Sequence, residues 1–124
     1  MDIVEVMAPD EDAAPPPLPP AAFHILIALT GGERHGYAIL QEIGSRTGGE
    51  VKLGAGTLYR TIQRLLEQGL IEETDERPDP ALDDERRRYY RITALGAAAA
   101  RAEAGRLLRL VRLARRSGLV PEKA

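Results

Sequence analysis

The stretch Leu53–Ile71, LGAGTLYRTIQRLLEQGLI, decides how the rest of the chain is read. Leu58, Ile62, Leu65 and Leu66 recur at helical spacing and gather on one narrow arc, with Tyr59 at its edge. Thr57, Arg60, Thr61, Arg64 and Gln68 fall on another side, and the helix's only acid, Glu67, lies near its C-terminal end. Two glycines, Gly54 and Gly56, precede this run. A nucleotide-binding loop would need a third glycine or a P-loop lysine, and the extended segment before it, EVKL, is very short. The glycines read instead as helix-start residues. Gly54 caps the helix, and Gly56 lets its first turn come close to a phosphate or a neighbouring helix.

Two further helices precede this one. AAFHILIALT places Phe23, Leu26, Ile27 and Thr30 at i, i+3, i+4, i+7, with Pro19–Pro20 at its start and Gly31 at its end. GYAILQEIGSRT places Tyr37, Ile39, Leu40 and Ile43 on an apolar side and ends at Gly48–Gly49. After Gly69, LIEETDE and RRRYYRIT read as two strands of a hairpin around the long polar loop RPDPALDDE. Thr93 then caps a last helix, ALGAAAARAEAGRLLRLVRLARRSG, rich in alanine, leucine and arginine. At ~1.5 Å per residue it reaches roughly 35 Å, more than a small domain can cover alone. Its seam of Leu107, Leu110, Val111 and Ala114, backed by an arginine stripe, reads as a dimerisation surface.

Composition bounds the rest. The 124 residues contain no cysteine, so disulfides and thiolate metal sites are excluded. No apolar run spans a bilayer, and the opening segment has neither a signal peptide's nor a transit peptide's character; a cytoplasmic protein is expected. The formal charge of -2 is unevenly placed. Residues 1–20 carry five acids and no base, whereas the other 104 carry 17 bases against 14 acids. A mildly basic body with an acidic, proline-rich leader permits a polyanionic partner. No nucleophile motif, metal cluster or Walker loop is present. His24 reads as structural and His35 as a cap at the second helix, so no metal, cofactor or enzymatic activity is expected.

The order helix, helix, turn, helix, hairpin, long helix defines a mainly α (α+β) fold: a winged helix-turn-helix with a two-stranded β wing and a long C-terminal dimerisation helix. A duplex major groove admits one α-helix, which needs one face in the core and another for the DNA, and residues 55–68 have that division. Arg60 and Arg64 face away from the core. Lys52 and the run Arg86–Arg87–Arg88 are placed to meet phosphates, although Asp83, Asp84 and Glu85 stand ready to pair with the run. Tyr89 and Tyr90 point to opposite sides of their strand, so one of them belongs to the core.

Three separated blocks, HGYAILQEI, GTLYRTIQRLLEQGLIEE and RRRYYRITALG, resemble the signature blocks of the PadR family of transcriptional regulators, in order and with matching spacing. The resemblance covers about residues 22–117, in the short branch with a single C-terminal helix. It implies a homodimer on a pseudo-palindromic double-stranded operator, usually a repressor, dimerised through that helix. It also implies a response to small aromatic or lipophilic effectors, with a cavity between the first helix and the dimer helices as the place for one. Thr57, Leu58, Tyr59 and Arg60 match the start of the family's recognition helix, Tyr37 the tyrosine of the HGY block, and Tyr90 and Arg91 the wing's returning strand. Gly54–Ala55 stand where the family commonly has Ser-Pro. The wing tip Asp75–Glu85 carries six acids against one arginine, which favours the bases after it as phosphate contacts. The expected organisation is a leader (1–20), a DNA-binding domain (21–93), the dimerisation helix (94–118) and a tail (119–124). The alternative is a winged-helix protein-interaction module that does not bind DNA, to which the acidic leader and wing tip lend weight.

Overall fold

A computed structural model describes residues 15–74 and 88–121. The elements are α1 (Pro20–Leu29), β1 (Arg34–His35), α2 (Gly36–Arg46), α3 (Ala55–Glu67), β2 (Ile71–Thr74), β3 (Tyr89–Ile92) and α4 (Ala94–Arg116). The fold is mainly helical with a small antiparallel sheet, the arrangement of a winged helix. The leader up to Ala14, the loop 75–87 with Arg86 and Arg87, and residues 122–124 lie outside the described residues.

Among the described residues the sheet has three strands in the order β1-β3-β2, where the sequence predicted two. Ile71 pairs with Ile92 and Thr74 with Tyr89, and Arg34 and His35 extend the sheet opposite Tyr90 and Tyr89. A strand of two polar residues has no alternation to read, and it exists only because β3 offers a second edge. Arg34 also ties its surroundings together. Its Nε donates to the Ala28 carbonyl at 2.9 Å, satisfying a backbone acceptor in the last turn of α1, and its guanidinium reaches Glu42 of α2 at 3.5 Å.

α1 is the centre of the core and touches α2, α3, α4 and β3. Its buried stripe is Ala22, Ile25, Leu26 and Leu29, with Ala28 beside it. The expected face, Phe23–Leu26–Ile27–Thr30, is wrong by about one residue: Phe23 and Ile27 are half-buried and Thr30 is exposed. In α2, Ile39 and Ile43 enter the core and Leu40 packs at its margin, but Tyr37 points to solvent, 62% exposed. In α3, Leu58, Ile62 and Leu65 are fully buried and Leu66 packs against them, as the spacing predicted. Tyr90 is the buried member of the tyrosine pair. Burial, reinforced by the charge of Glu73, raises its phenol pKa above the ordinary value.

The helix ends follow their capping chemistry. The His35 Nδ1 accepts from Ala38 N–H at 3.1 Å, and the Thr93 hydroxyl accepts from Gly96 N–H at 3.0 Å. Gly69 leaves α3 at φ +75, a left-handed conformation that glycine adopts without strain. Gly96 is required for a different reason. A Cβ there would stand 1.9 Å from the Leu70 carbonyl oxygen, so α4 can dock on the α3–β2 turn only with a glycine in its first turn. The first turns of α4 thus belong to the same core as α1–α3, through Gly96, Ala99 and Glu103. No helix among the described residues is long and apolar enough to cross a membrane.

Candidate nucleic-acid interface

The outward face of α3 lies opposite Leu58, Ile62 and Leu65. At 100° per residue, Gly56, Arg60, Gln63 and Glu67 occupy its centre, flanked by Tyr59 and Arg64. All six are exposed, while Thr57 and Thr61 on one margin are half-buried. Among the described residues no carboxylate pairs with Arg60 or Arg64. The Arg60 guanidinium folds back over the first turn, 3.4 Å from the Thr57 hydroxyl, and the Thr61 hydroxyl is occupied by the Thr57 carbonyl at 2.7 Å. The face therefore presents two guanidinium groups without a carboxylate partner among the described residues, one carboxamide and one phenol, donors that suit phosphate oxygens and base edges. The sequence reading overlooked Gln63, although its place three residues after Arg60 and opposite Ile62 and Leu65 was available.

Leu58 is a correction. It is 0% exposed and belongs to the core, so its side chain cannot touch a ligand on this face. Its motif position between Thr57 and Tyr59 reflects packing. The role expected for Gly56 is sharpened as well. Among the described residues no neighbouring helix comes within 4 Å of a Cβ placed there, where the closest group is Arg60 Nη1 at 3.3 Å. Gly56 leaves bare backbone at the centre of the outward face in the first turn. Gly54 caps α3 with an extended backbone (φ -74, ψ 159) and no side-chain bond.

Tyr59 is held in a way that the sequence did not disclose. A Cβ on Gly36 would lie 2.5 Å from its hydroxyl oxygen and 3.0 Å from Cζ. The ring thus lies against bare backbone at the first residue of α2, keeping only 37% of its surface exposed. Beside it, His35 meets Tyr89 edge-on with ring centroids 5.3 Å apart and lies parallel to Tyr37 at 6.5 Å. Tyr37, Tyr59 and the start of α2 are therefore gathered in one region, next to the first turn of α3.

The remaining candidates are dispersed. Lys52 is exposed in the link between α2 and α3. Arg88 is exposed, but its Nη1 lies 3.4 Å from Glu73, and Arg91 holds Glu72 at 2.6 Å. Arg88 thus forms an ion pair to β2, while Asp83–Glu85, the partners expected for the arginine run, lie outside the described residues. Leu107, Leu110 and Val111 are 37%, 50% and 40% exposed and Ala114 is half-buried, all on the part of α4 that leaves the core.

A groove of about 220 Å³ runs beside this face. Thr57, Arg60, Thr61, Arg64, Leu65 and Gln68 form its α3 wall, and Pro19 and Ala22 at the start of α1 form the other.

Three helices, the third facing outward, and a short sheet define the winged helix-turn-helix class. Residues 25–102 match the model of the transcriptional regulator PadR-like family, and the chain belongs to that family. That family is one of transcriptional regulators. It is 39% identical over 74 residues to an uncharacterized protein of Lysinibacillus sphaericus, a match that covers 60% of this chain and 65% of that protein, just under two thirds of its length. A transcriptional regulator from Clostridium thermocellum superposes with a TM-score of 0.66 at 25% identity, over 77% of this chain and 87% of that one. PadR of Bacillus subtilis, solved in complex with operator DNA, shares the fold with a TM-score of 0.54 at 20% identity, over 64% of this chain and 44% of its own.

Proposed function

We propose that this chain is a sequence-specific, double-stranded DNA-binding repressor that acts as a homodimer. The observation that carries the reading is the outward face of α3, where Tyr59, Arg60, Gln63 and Arg64 stand opposite the core with no carboxylate partner among the described residues. In this reading α3 enters the major groove, Arg60 and Gln63 read base edges, and Thr57, Tyr59 and Arg64 position the helix. Tyr37, at the capped start of α2, and Lys52 meet the backbone, where helix N-termini and basic groups favour phosphate. Arg88 contributes less, because Glu73 already neutralises it. The operator-bound relative, PadR of Bacillus subtilis, supports a DNA target. A dimer would place two α3 helices on half-sites about one helical turn apart, and occupancy of such a site blocks transcription. Release by a small lipophilic or aromatic effector completes the proposal, following the family resemblance.

Selection of bound fragments from the source genome gives the operator. Fluorescence anisotropy with that duplex then tests the interface. Arg60→Ala should weaken binding by roughly 10- to 100-fold, the cost of one lost base-edge contact, and leave the dimer intact. Unchanged affinity would sink the role of α3. The winged-helix protein-interaction module makes the opposite prediction, no salt-dependent binding to any duplex.

A further inference from the structure

We propose that the acidic segment Asp10–Glu11–Asp12 docks on Arg60 and Arg64 in the groove between α1 and α3, so that the leader and DNA phosphates compete for the same two guanidinium groups. The consequence for DNA rests on the reading above; the docking does not.

Three observations carry it. The groove's charged lining among the described residues is cationic: Arg60 and Arg64 line it, and none of those residues is a carboxylate. Its opposite wall begins with Pro19, so the leader joins the folded body at the groove's own rim. Residues 1–14 contain Asp2, Glu5, Asp10, Glu11 and Asp12 and no base. Asp12 stands six residues before Leu18. At about 3.3 Å per residue that span reaches roughly 20 Å, ample for a groove whose far wall is one helix away. Leu18 fixes the tether's root, because its N–H donates to Glu103 Oε1 at 3.0 Å and its side chain packs against the core. A short tether raises the local concentration of its acids to the millimolar range or above, so ion pairs too weak to hold a free peptide suffice here. Thr57, Thr61 and Gln68 add polar groups along the groove, and Ala22 and Leu65 give it an apolar floor.

The test uses the full chain. Arginine Nε–Hε resonances are recorded at low salt for the native protein and for Asp10→Asn/Glu11→Gln/Asp12→Asn, with Arg60 and Arg64 assigned through single lysine variants. Docking predicts that the triple variant shifts Arg60 and Arg64 and leaves Arg112 and Arg115 in place, and that added salt moves the native signals to the variant's positions. No shift at Arg60 and Arg64, or an equal shift at all arginines, overturns the docking. Competition is then read by anisotropy with a random duplex. The triple variant should bind on the order of 3- to 10-fold more tightly, the scale of two or three exposed ion pairs. A charge-matched control, Glu33→Gln/Glu50→Gln/Glu122→Gln, should gain less. Equal gains from the two variants overturn competition in favour of net charge alone. If no protein binds duplex, the DNA reading and the competition fall together, while the arginine shifts still decide the docking.

Discussion

At the scale of single residues, glycines do the unexpected work. Gly36 is buried at the start of α2, with the Tyr59 hydroxyl where a Cβ would be. Gly36→Ala must push the ring outward or force α2 and α3 apart, at a cost of about 1–3 kcal/mol. Since the displaced group sits on the outward face of α3, the variant should lose both thermal stability and DNA affinity. Tyr59→Ala in the same background should restore the melting temperature without restoring affinity. A Gly36→Ala protein with native melting and native binding would show that Tyr59 is not held in this way. The pair also shows how far residues can be read from sequence. HGY and GTLY identify themselves as motifs, but nothing in either reveals that the glycine of one accommodates the tyrosine of the other across 23 residues. Leu58 is the converse case: motif membership suggested contact, while its helical phase with Ile62 and Leu65 already pointed to the core.

At the scale of elements, legibility tracked amphipathicity. α3 carries charge on one side and leucine on the other, so its phase could be read directly. α1, PAAFHILIAL, is apolar all round apart from His24, and the frames starting at Ala22 and Phe23 fit the same spacing. Only the neighbours on every side decide between them. The caps were legible because they are local. Thr93 does more than cap: its hydroxyl accepts from Gly96 N–H and donates to the Gly69 carbonyl at 2.7 Å, joining the end of α3 to the start of α4. Thr93→Ala should therefore cost about 1–2 kcal/mol in urea unfolding, at the upper end for a helix cap, and Thr93→Ser should recover most of it. Equal loss from alanine and serine would place the effect in the methyl group instead. The link from Leu18 to α4 was not legible, because it pairs a backbone N–H with a carboxylate 85 residues away. Glu103 is only 5% exposed, and the Arg106 guanidinium, helped by the Leu18 N–H, holds its pKa below the ordinary carboxylate value. A lowered folded pKa means stabilisation present above the unfolded value and lost as pH falls through the folded one. Glu103→Gln should accordingly lower stability at neutral pH and flatten its decline on the acid side. An unchanged acid limb would remove Glu103 from that account.

At the scale of the whole molecule, the second half of α4 is a helix face that the described core leaves uncovered. The buried residues of α4, Gly96, Ala99 and Glu103, all lie in the first half, whereas Leu107, Leu108, Leu110, Val111 and Leu113 are exposed. Five large apolar side chains within seven positions form a surface that a monomer in water rarely retains, and helical phase gathers Leu107, Leu110, Val111 and Ala114 into one seam. The same seam was visible in the sequence, because a helix of roughly 35 Å outruns the core of a small domain. A second copy covering it would also fix the spacing of two α3 helices, which links the oligomer to the half-site geometry. Leu110→Glu places a charge in the middle of this seam, where its desolvation opposes association. It should convert the proposed dimer to a folded monomer in sedimentation velocity, with the melting of the α1–α3 core little changed. Operator affinity should then fall by roughly 100-fold or more, because each half-site is bound alone and the gain from linkage is lost. Arg60→Ala should weaken DNA binding in a protein that still sediments as a dimer, so the two variants separate reading from pairing. A Leu110→Glu protein that keeps the native mass would move the interface off this seam and leave the apolar half of α4 to another partner.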